Sequence, residues 1–333
     1  MLLLLASCGT GASPAGGDRD LPNAQAGPFR LLRAGEMKGR APFVIDRSPP
    51  WEGPAALDLD GDPETPGTAV YVSWGTTSTI TRFELPDGRS LEGNGVQVLE
   101  ATEAWEQPGG VRHPAVLREG GEVWMYYEAS GCVGRAVSQD GGQTFVKNPT
   151  TPVLCGEPGW EGGALGAPSV FRGFDGKIRL LYGASGVIGE AISDDGVAFR
   201  RLRGEPLLTR VGAPPLPEGA ELDEVFDSAA VGEPDALTVR SALDRPITLI
   251  YYTGTNRLGR TAVGLAARLG DDGVASRNPA PVLARHDARG PSALRLAGFT
   301  LLYVAGRSSE VSPTWQSVIL GAVAPADRSL AGP

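Results

Sequence analysis

Five times along this chain a dipeptide sits directly before a proline that opens an apolar run. The pairs are Glu52-Gly53, Arg112-His113, Gly166-Ala167, Gly232-Glu233 and Arg289-Gly290, ahead of Pro54, Pro114, Pro168, Pro234 and Pro291. Glu52, Glu233 and His113 belong to the residue types that give and take protons in acid–base chemistry. Arg112 and Arg289 carry the planar guanidinium forks that match carboxylate geometry. The chain has only 2 histidines, so one at this repeated register stands out. The same groups have a structural alternative, in which the arginines pair with Glu52, Glu106 or Glu233 and His113 is held by neighbouring backbone. Residues spread from position 52 to position 290 act together only if the fold gathers them.

The spacing says how it does so. Successive prolines lie 60, 54, 66 and 57 residues apart. After each comes a second apolar run rich in tyrosine ("AVYVSW", "VWMYYEAS", "IRLLYGAS", "TLIYYTGT", "TLLYVAG") and a third ("TITRFEL", "GRAVS", "GEAIS", "AVGLAARL", "SVILGAV"). The runs are short, β-rich and bounded by turn residues, and 47 glycines and 28 prolines supply the turns. Five units of three or four strands predict an all-β, five-bladed β-propeller. The last unit is one strand short, and "FRLLRAG" from Phe29 resembles the fourth-strand segment "FRRLRGE" from Phe199. Residues 29–34 are therefore expected to pair with the last blade and close the ring, removing open sheet edges. The chain divides into a signal segment (1–8), a flexible tether (9–27) and one propeller (28–326). The blades run at about 43–100, 101–155, 156–210, 220–284 and 285–323.

The turn "SQDGGQTF", Ser138–Phe145, is echoed by "SDDGVAF" at Ser193–Phe199. It resembles the Asp box of sialidases and other propellers. Ser and Asp side chains there can bond the turn's own N–H groups, the glycines supply positive φ, and the aromatic packs between blades. This is a folding device, remote from any ligand.

Five blades, inner strands opening on an acid-Pro pair and "YY" second strands resemble the furanosidase clan of glycoside hydrolases: arabinanases, β-xylosidases, and invertase or levansucrase relatives. The resemblance implies a carbohydrate ligand at the axial pocket and a pair of carboxyl groups, one protonating the glycosidic oxygen while the other assists attack at the anomeric carbon. By this resemblance Glu233, in "GEPDAL", is the general acid. Gly53 stands where the first blade has its acid, with Glu52 one residue earlier as the candidate that activates water or acts as nucleophile, His113 where the invertase-like branch has Asp, and Ala167 at the third-blade position. Asp227, in the long insert "LPEGAELDEVFDS" with Asp223 and Glu224, is a candidate displaced acid. It also belongs to a series of aromatic-acid pairs (Trp105-Glu106, Trp160-Glu161, Phe226-Asp227) whose recurrence points to a structural role. Trp74 is a candidate sugar platform, and Arg112, Arg289 and His113 are candidate ligand contacts, extending to an anionic sugar.

The beginning of the chain, "MLLLLASCG", looks like the end of a bacterial lipoprotein signal with Cys8 as the lipidated residue, which predicts an exported, lipid-anchored protein of the cell envelope or periplasm. Cys132 and Cys155 are then an even pair in an oxidising compartment, both on the pocket face, and a disulfide between them is expected. A net charge of −9 argues against a nucleic-acid partner. No zinc-ligand spacing, phosphate-binding loop or nucleophile elbow is present, so no cofactor or metal is expected, and a monomer is. Two functions stay open: a glycoside-hydrolase-like propeller that binds and hydrolyses carbohydrate, and a non-catalytic ligand-binding or assembly lipoprotein on the same fold.

Overall fold

The computed structural model describes residues 27–46, 50–62, 65–75, 79–211, 225–241, 243–296, 299–307 and 317–324. They form five antiparallel sheets. The inner strands are Trp51–Asp58, Arg112–Glu119, Gly166–Arg172, Ala230–Arg240 and Arg289–Leu296, each followed outward by its second and third strands. Blades 1 to 4 end on Glu92–Leu99, Val146–Lys147, Arg200–Arg201 and Ser276–Arg277. In blade 5 the strand Arg30–Leu31 pairs with Ser317–Val323, Arg30 opposite Val323 and Leu31 opposite Ala322. This is the five-bladed β-propeller that the repeat predicts.

Blades share apolar faces with their neighbours, and polar side chains fix the joints. Around the axis, the residue after each proline bonds the next blade where it has an oxygen. Ser169 Oγ accepts Ala236 N–H (3.1 Å), Asp235 Oδ2 accepts Ala293 N–H (2.7 Å) and Ser292 Oγ accepts Ala56 N–H (2.9 Å). Further out, a second-strand tyrosine reaches the hairpin turn of the following blade. Tyr71 donates to Gly142 O (2.8 Å), Tyr126 to Gly196 O (2.7 Å) and Tyr303 to Gly88 O (2.5 Å). The Ser138–Phe145 turn is shaped for this contact. Ser138 Oγ accepts Gly142 N–H (2.8 Å), and Asp140 Oδ1 accepts Gln143 and Thr144 N–H (both 3.0 Å). The Ser138 and Thr144 hydroxyls also donate to the Asp140 carboxylate (both 2.6 Å), and together with these amides they hold it well below its ordinary range. Gly142, at φ +89°, leaves no room for a Cβ beside the Tyr71 hydroxyl, and Phe145 meets the Tyr71 ring edge-on at 5.7 Å. Because the Gly142 carbonyl would lose its buried donor, Tyr71→Phe should cost about 1–2 kcal/mol, read by denaturant unfolding. An unchanged midpoint would show that the latch contributes nothing.

The aromatic-acid pairs form a second repeated unit. Trp105, Trp160 and Phe226 stack on Tyr127, Tyr182 and Tyr252. The adjoining Glu106, Glu161 and Asp227 are buried and accept those tyrosine hydroxyls at 2.8, 2.8 and 2.9 Å. A fourth-strand cation, Lys147, Arg201 or Arg277, completes each set. Asp227 is thus corrected from candidate catalytic acid to member of a structural triad, its carboxylate already engaged by Tyr252 and Arg277. Asp223 and Glu224 lie outside the described residues.

Candidate functional site

Each inner strand changes register across its proline, because proline has no N–H for the ladder. The residue just before it turns left-handed in every blade, with φ of +54° at Gly53, +45° at His113, +42° at Ala167, +44° at Glu233 and +55° at Gly290. Glycine tolerates this, but the other three residue types are strained there by ~1 kcal/mol or more each. The five prolines come together around a narrow axial space of about 90 Å³, bordered also by Ala55, Ala115, Asp235 and Ser292. One step along the same strands the space widens into an open cavity of about 490 Å³ centred on blades 3 and 4. Its polar lining includes His113, Glu128, Glu233, Thr253 and Arg289.

The predicted convergence is therefore observed for three residues directly. His113, Glu233 and Arg289 share the cavity. Glu52 joins through Arg289, whose Nη2 donates to Glu52 Oε1 (2.5 Å). Arg112 is not among the lining residues and donates to Glu128 Oε1 (2.8 Å). Trp74 is not among the residues lining this cavity, and its half-buried ring packs against Trp51 at 6.1 Å. Cys132 and Cys155 lie opposite each other across blade 2 and are joined by a disulfide.

Glu128 was missed by sequence reasoning. It ends the second strand of blade 2, at the register of Ser73 in blade 1 and Thr253 in blade 4. Aligning the second strands as well as the prolines would have singled it out. Its Oε2 accepts Ala167 N–H (3.0 Å) while Oε1 takes Arg112. Glu233 is held differently, by neutral donors: Oε2 accepts the Thr253 hydroxyl (2.7 Å) and Gly290 N–H (2.9 Å). The absence of an acid at position 53 has a steric reason. A Cβ on Gly53 would come within 2.6 Å of His113 Nδ1, so the imidazole occupies the place that a first-blade carboxylate would need.

The charges decide what such a cavity accepts. Both arginines are already paired with a carboxylate, and Glu233 has no cationic partner among the described residues. The uncompensated charge is negative. Asp235, beneath, has no ion pair among the described residues either, and burial pushes its carboxyl up to about 7.

No family model matches the chain. A segment of 73 residues is 42% identical to the pre-mRNA 3'-end-processing factor FIP1 of Danio rerio, but it spans 22% of this chain and only 12% of that protein. Solved structures match along almost the whole chain. A candidate glycoside hydrolase from Bacteroides ovatus superposes with a TM-score of 0.62 at 18% identity, over 93% of this chain and 99% of that one. An endo-1,4-beta-xylanase from Bacteroides thetaiotaomicron gives 0.60 at 14% identity over 86% and 92%. An endo-arabinase from the same organism gives 0.58 at 14% over 86% and 97%. At these identities the likeness establishes the fold, a five-bladed propeller shared with glycoside hydrolases.

Proposed function

We propose that this chain binds a neutral, hydroxyl-rich carbohydrate in the cavity over blades 3 and 4. The observation that carries the reading is that Glu128, Glu233, His113 and Arg289 line one open cavity on a fold shared with an arabinanase and a xylanase. Sugar hydroxyls both donate and accept, so they suit carboxylates and an imidazole together. The negative balance of the lining disfavours the anionic ligand that Arg112 and Arg289 suggest when read without their partners. Titration calorimetry with 1,5-α-L-arabino-oligosaccharides and 1,4-β-xylo-oligosaccharides tests this. One series should bind, and Glu233→Gln should weaken it about tenfold. No binding in either series, or binding indifferent to Glu233→Gln, rejects the reading.

Hydrolysis is the second reading, favoured by the two carboxylates that face the same cavity. On it Glu233 serves as the acid and Glu128, kept beside Arg112, assists attack at the anomeric carbon. The glycine at 53 and the alanine at 167 count against it. Release of reducing ends that is lost in both Glu233→Gln and Glu128→Gln distinguishes hydrolysis from binding alone.

The same proposal places the protein outside the cytoplasm on a lipid anchor at Cys8. Support comes from the apolar "MLLLLAS" ahead of that cysteine and from the Cys132–Cys155 disulfide, a bond of oxidising compartments. Cys8 itself lies outside the described residues. Expressed in bacteria behind a lipoprotein leader, the protein should incorporate labelled palmitate, and Cys8→Ser should abolish the label. Equal labelling of the two removes the anchor from the proposal.

A further inference from the structure

One joint around the axis lacks a part that its neighbours have. In blades 1, 2 and 4 a side-chain oxygen at the end of the second strand accepts the pre-proline N–H of the next blade: Ser73 Oγ from His113 (3.3 Å), Glu128 Oε2 from Ala167 (3.0 Å) and Thr253 Oγ1 from Gly290 (2.8 Å). The equivalent residue of blade 3 is Gly183, opposite Gly166 in the pairing, and the next pre-proline residue is Glu233. Gly183 has no side chain to offer. Blade 5 carries Ala305 at this position, but His113 fills the space beside Gly53 there, and Ala305 does not border the cavity. Of these two joints without a side-chain oxygen, the Gly183 joint is the one that borders it.

Packing does not explain this glycine. Gly134, Gly189 and Gly264 lie under tyrosine rings that a Cβ would overlap. A Cβ on Gly183 would instead make ordinary contacts, 3.5 Å from Gly166 O, 3.7 Å from Glu233 N and 3.9 Å from Gly232 Cα. The backbone of Gly183 is not left-handed either. A glycine inside a strand weakens it, and one without a steric reason marks a close approach by something else.

We propose that the Gly183 gap is a ligand subsite in which a hydroxyl replaces the missing side-chain oxygen. That hydroxyl accepts the Glu233 N–H as Ser73 accepts His113, and donates to the Glu233 carboxylate, whose Oε1 accepts no bond among the described residues. A ligand carboxylate can accept the N–H but has no hydrogen to give, and meets Glu233 and Glu128 as like charges. The subsite therefore selects alcohols over anions, which rests on and sharpens the carbohydrate reading above.

Gly183→Ser supplies the missing hydroxyl from the protein itself and should occlude the subsite without harming the fold. Affinity for whichever arabino- or xylo-oligosaccharide binds should fall about tenfold, and Gly183→Ala, which adds bulk without an oxygen, should cost about threefold. Equal losses in the two variants, or none in Gly183→Ser, overturn the assignment even if Glu233→Gln still weakens binding. If Glu233→Gln has no effect, the cavity reading fails instead. A ligand-free measurement stands apart from both. By NMR hydrogen exchange, the Glu233 amide should exchange at least about tenfold faster in the wild type than in Gly183→Ser. A Glu233 amide already as protected as those of His113, Ala167 and Gly290 rules the proposal out.

Discussion

Glu190→Ala should destabilise the protein by about 3–5 kcal/mol, because it leaves the buried Arg268 guanidinium with no carboxylate among the described residues and removes one of those around Arg179. Blade 3 lacks the tyrosine that latches blades 1, 2 and 5 to their successors. Leu181 occupies that register, opposite Glu190, where blade 2 has Tyr126 opposite Arg135. An ionic cluster takes over the joint. Glu190 accepts both Nη groups of Arg268 from blade 4 (2.8 and 2.6 Å) and Nη1 of Arg179 (3.2 Å). Arg179 also donates to Asp271 O (3.2 Å) and Asp175 Oδ2 (3.0 Å). Glu190, Arg179 and Arg268 are all buried. Domains of this kind hold ~5–15 kcal/mol in total, so the loss is a large share of the whole and should lower Tm by about 10 °C. Denaturant unfolding of the variant measures it. A loss below about 1 kcal/mol would mean that the cluster is solvated and does not hold blades 3 and 4 together.

Asp235→Asn should act in the opposite direction and only above acidic pH. The Asp235 carboxyl is pushed up to about 7 by burial beside the axial space, so the folded protein keeps a proton that the unfolded chain releases near its ordinary value. Stability therefore falls as pH rises from about 4 to about 7 and is lowest above that range. The full difference corresponds to ~4 kcal/mol. The open axial space beside the group reduces it, and a gain of about 2 kcal/mol for the variant at pH 8 is expected. Asparagine keeps an acceptor for Ala293 N–H, which now bonds Asp235 Oδ2 at 2.7 Å. At pH 4 the two proteins should differ little. Parallel melting curves across pH 4–8, with no widening gap in Tm, would show that Asp235 titrates as an ordinary exposed carboxylate.

Much of this molecule is local and was readable in order along the chain. The five prolines, the alternating apolar runs and the Ser-Asp-Gly turns each act within about ten residues, and their recurrence defined the blades and the side of the ring on which His113, Glu233 and Arg289 meet. What lies between blades was not readable, because the joints are formed by groups from about 40 to more than 230 residues apart, whose partnership depends on which blade follows which. Asp227 looked like a lid acid until its tyrosine and arginine were in place. Glu128 drew no attention until the fold set it between an Arg112 contact and the cavity lining. Gly53 lacks an acid because of His113 in the next blade, and Gly183 is open because its neighbours' oxygens have no counterpart there. Local periodicity places a side chain on a face, but only packing decides whether that face meets a partner or an empty space.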